Sequence, residues 1–375
     1  MIAQRIRLYP NKLQAAYLDK RIRFAAIAHN EMLAKYKEMY DAWKENPSSE
    51  KPTSRKVRDW LKSHKVADYE DCTNMIVETE ADNMDKAFKN FFAKRASYPS
   101  FHKVERQEAF SINRKNANTC RIDERMRVHL AKDACIKMAE RPKYANPKRF
   151  TFMRKDGRYF VSIVFDDGPK EAFAPTGRSC GIDLGLKQTV NLADSEGNLG
   201  KMSMDYDWLK AAWRKADRLR GNLSKKAKGS KRRDKANAKL QSQLFRIRNK
   251  MEDFANKTVH SLVKDYDVVG TEDLNLKGMR KNRRLSHSLQ TKSLGTLMSK
   301  LDVKANQQGK RVVQVGRFFP SSQLCSNCGE LHKEMKDLKK RVMSCGCGFS
   351  LDRDLNAAIN ILNESIRIVS RQGKE

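Results

Sequence analysis

Residues 2–9 alternate apolar and polar with the period of two expected of a half-buried strand, and Tyr9-Pro10-Asn11-Lys12 then gives a turn or helix-start signal. From there to about residue 95 the period lengthens. Leu13, Ala16, Leu18, Ile22, Phe24, Ala25 and Ile27 recur at loose 3.6-residue spacing, and Met75 to Phe92 behaves similarly. Pro47 and Pro52, amid Ser and Glu, mark a break between helices, and Tyr98-Pro99-Ser100-Phe101 closes the helical region. Residues 104–170 return to strand character. The runs Arg149–Arg154 and Tyr159–Phe165 flank Lys155-Asp156-Gly157-Arg158, whose Asp-Gly pair is a strong hairpin signal. Several short strands with turn chemistry predict a small barrel. Residues 2–9 would pair into it, which makes the helical region an insertion between barrel strands.

A third pattern begins near residue 178. A short strand around Asp183 leads into Thr189-Val190-Asn191-Leu192-Ala193 and a turn at 194–198. In that strand Ile182 and Leu184 point to one face and Asp183 to the other, with Gly181 and Gly185 expected to leave room for a phosphate backbone. Residues 205–265 read as long helices, and Tyr266-Asp267-Val268-Val269-Gly270 as an apolar strand running out at Glu272. A final helix opens at Asp354, with Asp352 as its N-cap and an apolar stripe of Leu355, Ala358, Ile359, Leu362, Ile366 and Val369.

The 375 residues allow two to three domains, and 39% hydrophobic content is enough for real cores. Charge changes the picture: Lys and Arg number 77 against 45 Asp and Glu, a formal balance of +32. A surface so dominated by one sign fits a polyanion such as nucleic acid, whose binding scales with the phosphates neutralised. A merely soluble surface would mix both signs. Between residues 201 and 250 there are 17 basic and 4 acidic residues, densest from Ser224 to Arg233 in what reads as a loop. Lys225, Lys226, Lys228, Lys231, Arg232 and Arg233 are therefore candidate nucleic-acid contacts, a solvated helix face being the plainer alternative. No run approaches the ~20 apolar residues of a membrane span, and Met1–Arg7 lacks an apolar signal core. The chain is accordingly expected to be soluble and cytoplasmic.

Of eight cysteines, Cys72, Cys120, Cys135 and Cys180 are scattered, and a disulfide framework would distribute them otherwise. Cys325-x-x-Cys328 and Cys345-x-Cys347, separated by 16 residues, match a four-thiolate zinc ribbon, closed to substrate and so structural. The second spacer is one residue short, and Gly346 and Gly348 are expected to permit its tight turn; His332 is the alternative ligand. Three acidic segments carry the remaining chemistry: Gly181-Ile182-Asp183-Leu184-Gly185, Thr271-Glu272-Asp273-Leu274-Asn275 and Asp352-Arg353-Asp354-Leu355-Asn356. Carboxylates hold hard divalent cations, and two such cations clamp the attacking and leaving oxygens of a phosphate. Singly each acid has a plain reading, as a turn residue, a strand-end charge or a favourable charge in a helix's first turn. Strand, strand and helix N-terminus in this order form the layout of a ribonuclease H-like nuclease. The residues alone do not choose between Asp352 and Asp354.

In order along the chain, these motifs resemble the TnpB (OrfB) family of transposon-associated RNA-guided DNA endonucleases, related to the type V CRISPR effector nucleases. The resemblance covers nearly the whole sequence. It rests on Tyr9-Pro10-Asn11-Lys12, on Ala87–Phe92 followed by Tyr98-Pro99-Ser100-Phe101, and on Phe319-Pro320-Ser321-Ser322 leading into Cys325. Residues 181–185, 271–279 and 352–361 are similar to the family's three RuvC motifs. The frequent histidine before the third motif is replaced by Leu351.

The resemblance implies a multidomain α+β fold. A small wedge β-barrel (residues 1–10 and 96–176) would carry an inserted helical recognition region (11–95). A RuvC-like α/β nuclease domain (177–318 and 351–375) would be interrupted by a zinc-ribbon insertion that binds target nucleic acid (319–350). It assigns catalysis to Asp183, Glu272 and Asp354, with Asp183 bridging two Mg²⁺ (or Mn²⁺) ions and the other two acids each completing one shell. One structural Zn²⁺ would sit on Cys325, Cys328, Cys345 and Cys347. The implied partners are a transposon-derived guide RNA and target double-stranded DNA beside a short transposon-adjacent motif, in a monomeric ribonucleoprotein. Rival readings are an RNA-guided DNA-binding repressor without cleavage and a DNA-rearranging transposase or resolvase. The presence of all three acids argues against the first, and the lack of a tyrosine or serine recombinase signature against the second.

Overall fold

The computed structural model describes residues 2–65, 67–114, 120–130, 134–166, 172–185, 190–273, 294–337 and 339–372. The part of the second acidic motif from Leu274 to Met279 lies outside the described residues. The chain forms two compact units, Met1–Gly168 and Pro169–Glu375.

In the first unit, β1 (Ile2–Tyr9) precedes three helices, α1 (Lys12–Glu45), α2 (Ser54–Ser63) and α3 (Asn74–Phe92). Six strands follow: β2 (Ala109–Asn113), β3 (Cys120–Ile122), β4 (Arg127–Leu130), β5 (Ala134–Met138), β6 (Pro147–Lys155) and β7 (Arg158–Phe165). Their order is β2-β6-β7-β1-β5-β4-β3, and every pairing is antiparallel. Side chains from all seven strands enter one apolar cluster, among them Ile6, Phe110, Cys120, Val128, Ile136, Phe152 and Ile163. That convergence requires the sheet to curl into a nearly closed barrel. Residues 2–9 do pair into it, and the helices leave the sheet between β1 and β2. Asn11 starts α1 with a reciprocal capping box to Gln14. At the β6–β7 turn Asp156 and Gly157 take φ of 54° and 70°, the left-handed pair that a two-residue hairpin needs.

The second unit contains β8 (Ser179–Asp183), β9 (Val190–Asp194), β10 (Leu199–Met202), α4 (Tyr206–Ser224), α5 (Lys231–Asp265), β11 (Val268–Glu272), α6 (Leu294–Gln307), β12 (Arg311–Val315), β13 (Val342–Ser344), β14 (Ser350–Asp352) and α7 (Arg353–Gln372). A five-stranded sheet runs β10-β9-β8-β11-β12, with β8, β11 and β12 parallel and β9 and β10 antiparallel. Cys180, Ile182 and Val269 point to one face and pack with Val259 and Val263 of α5 and Leu297 and Leu301 of α6. Because side chains alternate along a strand, Gly181 and Gly270 belong to the other face, where α7 lies.

Those two glycines are register partners on neighbouring strands. A Cβ on Gly181 would stand 2.3 Å from the Ala358 carbonyl oxygen, and one on Gly270 would stand 2.1 Å from Ser365 Oγ. The α7 backbone therefore occupies the space at Gly181 that the sequence suggested for a phosphate. The seating also rotates the helix from its expected stripe. Its buried positions include Asn356, Ala357, Ala358, Asn360, Ile361, Leu362 and Ser365, while Ile366 is 40% exposed. Small and amide side chains fit the shallow step better than the larger aliphatic ones that the hydrophobic period selects.

Gly181→Ala and Gly270→Ala should each destabilise the protein by about 1–3 kcal/mol, the usual cost of overpacking. Gly200→Ala, whose new Cβ meets only Leu192 at 3.8 Å, should be close to neutral. Thermal unfolding of the three variants distinguishes them; equal midpoints would show that α7 does not rest on the glycine step.

Candidate active site and cysteine cluster

The parallel pairing of β8 and β11 places two acids side by side. Ile182 and Thr271 form the last register pair, and Asp183 and Glu272 follow it at the C-terminal ends of their strands. Each lies two residues beyond its glycine and so on the face that carries α7. Asp354, in the first turn of α7, supplies the third carboxylate. The proximity shows in Asp183, whose carboxyl is pushed up to about 7, first by burial and then by the negative charges of Glu272 and Asp354. A hydrogen bond from Asn191 Nδ2 at 3.3 Å and the nearby Arg353 cation offset this only in part.

Neighbouring acids have other tasks. Asp352 Oδ1 accepts the backbone N–H groups of Asp354 and Leu355 at 3.0 and 3.2 Å, while Oδ2 pairs with Lys201 at 2.9 Å. It caps α7, as expected. Burial pushes its carboxyl up, but Lys201 and these two amides outweigh that and hold it below the usual range. Asp273 is paired with Arg317 at 2.6 Å. Glu272 Oε1 instead accepts from the Ser321 hydroxyl.

Ser321 is positioned from α7. Asn360 Nδ2 donates to the carbonyls of Ser321 and Leu324, both at 2.8 Å, and Asn356 Nδ2 donates to Leu324 at 2.7 Å. Asn356 Oδ1 accepts from the Ser326 N–H at 3.0 Å. Sequence reasoning missed Asn191, Ser321, Arg353, Asn356 and Asn360. The available signal was the i, i+4 asparagine pair immediately behind Asp-Arg-Asp. The donors around Asp183 are oxygens, and a cation beside it would relieve the repulsion that raises its pKa. These residues fit a hard divalent ion.

The four clustered cysteines converge more tightly, with all four sulfurs within 4.8 Å of one another. Cys325 and Cys347 are 3.8 Å apart and Cys328 and Cys345 are 3.5 Å apart. A tetrahedral zinc with bonds of ~2.3 Å has sulfur–sulfur edges of about 3.8 Å, so the thiols fit zinc. The two knuckles match: Gly329 N–H bonds to Cys325 O at 2.9 Å, and Gly348 N–H to Cys345 O at 3.1 Å. Both glycines have positive φ, 80° and 84°. Gly348, rather than Gly346, makes the short spacer possible. His332 lies beside Glu330 and Cys345 and bonds to Glu334 at 3.1 Å, outside a four-thiol set that is complete without it.

The basic candidates divide between two elements. Lys225, Lys226 and Lys228 lie in the α4–α5 connection, whereas α5 already begins at Lys231, capped by Ser230, so Lys231, Arg232 and Arg233 are helical rather than loop residues. Lys225, Lys228, Lys231 and Arg232 are exposed. Arg233 is turned inward and donates to the carbonyls of Leu223 and Lys226 at 3.0 and 2.9 Å, closing the end of α4.

Family models match three parts of the chain: "Probable transposase" over residues 162–283, "Cas12f1-like, TNB domain" over 295–361 and "Helix-turn-helix domain" over 1–45. Within the last range the structure has β1 and the single helix α1. A putative RNA-guided DNA endonuclease of Streptomyces pristinaespiralis is 31% identical over 364 residues, 96% of this chain and 88% of that protein. The putative RNA-guided DNA endonuclease InsQ of Escherichia coli K12 is 24% identical, covering 82% of this chain and 79% of its own. TnpB-like protein L79 of Acanthamoeba polyphaga mimivirus is 29% identical, covering 60% of this chain and 46% of its own. Among solved structures, a Cas12f1–sgRNA–target DNA complex aligns with a TM-score of 0.57 at 15% identity, over 94% of this chain and 83% of that one. At that identity the match shows a shared multidomain α+β fold.

Two outcomes follow from the geometry. Because the folded-state pKa of Asp183 lies above its unfolded value, its ionised form costs stability. That cost grows as pH rises from the ordinary carboxylate range and is fully present above about 7. In magnesium-free buffer at pH 8, Asp183→Asn should therefore raise the unfolding midpoint by a few degrees, with a smaller gain at pH 5; the same gain at both pH values would refute the assignment. Metal analysis should find about one zinc per chain, by the four-ligand rule. A Cys325→Ser, Cys345→Ser double variant should lose it, and full occupancy in that variant would rule the site out.

Proposed function

Since the chain belongs to the TnpB (OrfB) family, we propose that it is an RNA-guided DNA endonuclease whose RuvC-like centre is Asp183, Glu272 and Asp354. The observation that carries this reading is the gathering of the Glu272 and Asp354 carboxylates around a half-buried Asp183 with a pKa raised to about 7. Packing alone has no need for such repulsion, and perturbed groups of this kind concentrate where chemistry is done. The sheet order β10-β9-β8-β11-β12, with α7 delivering its first turn to the ends of β8 and β11, supports a ribonuclease H-like domain.

Asp183, Glu272 and Asp354 would hold Mg²⁺ or Mn²⁺. When bound, the ions supply an activated water and stabilise the charge on the leaving 3′ oxygen. The protein's part is placement. Asn191 holds one oxygen of Asp183, Ser321 orients Glu272, and Asp352 fixes the helix end from which Asp354 projects. Cys325, Cys328, Cys345 and Cys347 would hold one structural Zn²⁺ in an insertion at 319–350 that contacts target nucleic acid. Residues 1–10 and 96–176 would form the wedge barrel, 11–95 the recognition region, and 177–318 with 351–375 the nuclease domain.

The partners would be a transposon-derived guide RNA and double-stranded target DNA, cut beside a short transposon-adjacent motif in a monomeric ribonucleoprotein. Guide pairing would read sequence while the protein reads the motif and duplex shape. The formal charge of +32 supports this choice, with Lys225, Lys228, Lys231 and Arg232 offered for phosphate contact. Among the described residues no helix is long and apolar enough to cross a membrane; we place the particle in the cytoplasm, on the nucleoid when bound to DNA.

Asp183→Ala, Glu272→Ala and Asp354→Ala should each abolish cleavage of a guided plasmid while leaving guide and target binding nearly intact in a gel shift. Asp352→Ala should keep substantial activity at the cost of about 1 kcal/mol of stability, the typical worth of an N-cap. Normal cutting by Asp354→Ala alongside a dead Asp352→Ala would reverse the assignment within that motif. Equal cutting of matched and mismatched targets bearing the same adjacent motif, or undiminished cutting without RNA, would leave only an unguided nuclease. Binding without cutting by the unaltered protein would leave a repressor.

A further inference from the structure

We propose that Asp123, His129 and Cys135 form a second, exchangeable site for a zinc-type divalent cation on the barrel sheet, independent of the clustered cysteines and of the nuclease reading. His129 and Cys135 lie on the adjacent strands β4 and β5 and Asp123 immediately follows β3, and strand register brings them together. His129 and Cys135 are direct cross-strand partners. Arg121 pairs with His129 from the other side, and Asp123 follows two residues later on the same face. The alternate residues Val128, Leu130 and Ile136 enter the barrel core, so the three side chains face away from it, each half-buried.

The ligand atoms already converge. His129 Nε2 is 2.9 Å from Asp123 Oδ2 and 3.6 Å from Cys135 Sγ, and the three atoms all lie within 4.8 Å of one another. An ion with bonds of ~2.0–2.3 Å to nitrogen, oxygen and sulfur in tetrahedral array needs separations of roughly 3.3–3.6 Å. The nitrogen–sulfur separation already meets this, and the nitrogen–oxygen pair needs to open by a few tenths of an ångström. One sulfur, one imidazole and one carboxylate make a borderline-soft donor set, which favours Zn²⁺ or Co²⁺ over Mg²⁺ or Ca²⁺. Three protein ligands leave a fourth position open, and the ion would be held less tightly than by four thiolates.

Arg127 is the competitor. Its Nε donates to the same Asp123 Oδ2 at 2.7 Å, and its backbone N–H donates to Oδ1 at 2.9 Å. The guanidinium side chain is 39% exposed and can swing into solvent, while the backbone bond keeps Asp123 oriented. An Asp–Arg–His surface network would account for the nitrogen–oxygen contacts without Cys135, whose sulfur the strand register brings to the same His129 nitrogen. The two views differ on Arg127. If a cation binds, removing the guanidinium removes its rival and tightens binding. If the cluster is only a salt-bridge network, the removal has no effect on metal.

The test uses the full-length protein with zinc retained in the cysteine cluster. Zn²⁺ added by equilibrium dialysis should give a second equivalent per chain. Co²⁺ titrated into the zinc-loaded protein should produce a thiolate-to-cobalt charge-transfer band. His129→Ala and Cys135→Ser should each lose the second equivalent and the band while keeping the first zinc and the wild-type circular dichroism. Arg127→Gln should bind the second ion several-fold more tightly, a gain that misfolding cannot imitate. A stoichiometry of one in the wild-type protein, a second ion that survives in Cys135→Ser, or unchanged affinity in Arg127→Gln would each overturn the proposal.

Discussion

The close seat of α7 on the bare step made by Gly181 and Gly270 is the contact on which the candidate site depends. Each glycine in a strand carries an entropic cost of roughly 0.5–1 kcal/mol, offset here because a helix backbone reaches the sheet itself. The first turn of α7 then projects past the ends of β8 and β11, which puts Asp354 beside Asp183 and Glu272. The same helix extends Asn356 and Asn360 into the segment that carries Ser321, and Ser321 holds Glu272. A single packing contact thereby sets the third acid directly and the second through two hydrogen bonds. Widening it by one methyl group would disturb all of these together.

The charge arrangement runs against stability. Three carboxylates share a partly dry site, and the Arg353 cation that acts on Asp183 is itself buried and engaged with the Asp337 carbonyl and Ser322. Nearby acids with ordinary structural duties are satisfied locally: Asp352 by Lys201 and two amides, and Asp273 by Arg317. Asp354 meets Arg341 at the longer distance of 3.8 Å and Asp183 an amide at 3.3 Å, looser contacts than those that tie Asp352 and Asp273 into the frame.

Much of this was legible in the sequence. The period-2 run at the N-terminus, the Asp156-Gly157 turn and the helical stretch between them specify a barrel with an inserted helical segment, since each signal is local and strong. The cysteine spacing specified the cluster for the same reason. The face of α7 was not legible, because hydrophobic periodicity counts Ser365, Asn356 and Asn360 as solvent-facing when close packing and buried amide bonds put them inside. Gly181 was misread because a glycine next to an acid looks alike whether a ligand or a helix fills the space. The start of α5 at Lys231 was hidden by charge: Lys and Arg are good helix formers, but a dense basic run after Gly229 reads as a loop.

The central place of β1 has a consequence for how the chain is made. Ile2 pairs with Phe165 and Leu8 with Met138, so β1 waits for β5 and β7, which follow it in the chain. At roughly 5–20 residues per second on the ribosome, that delay is on the order of ten seconds. Over this interval α1, α2 and α3 can form from contacts close in sequence, whereas Ile6 has no partner strand until β7 is made. A nascent chain released before Arg158 would keep its helices but lack β7, leaving β1 from Ile2 to Arg7 as an unpaired edge of the kind that recruits other chains. The topology that encloses the barrel core thus makes this unit sensitive to premature termination late in its synthesis.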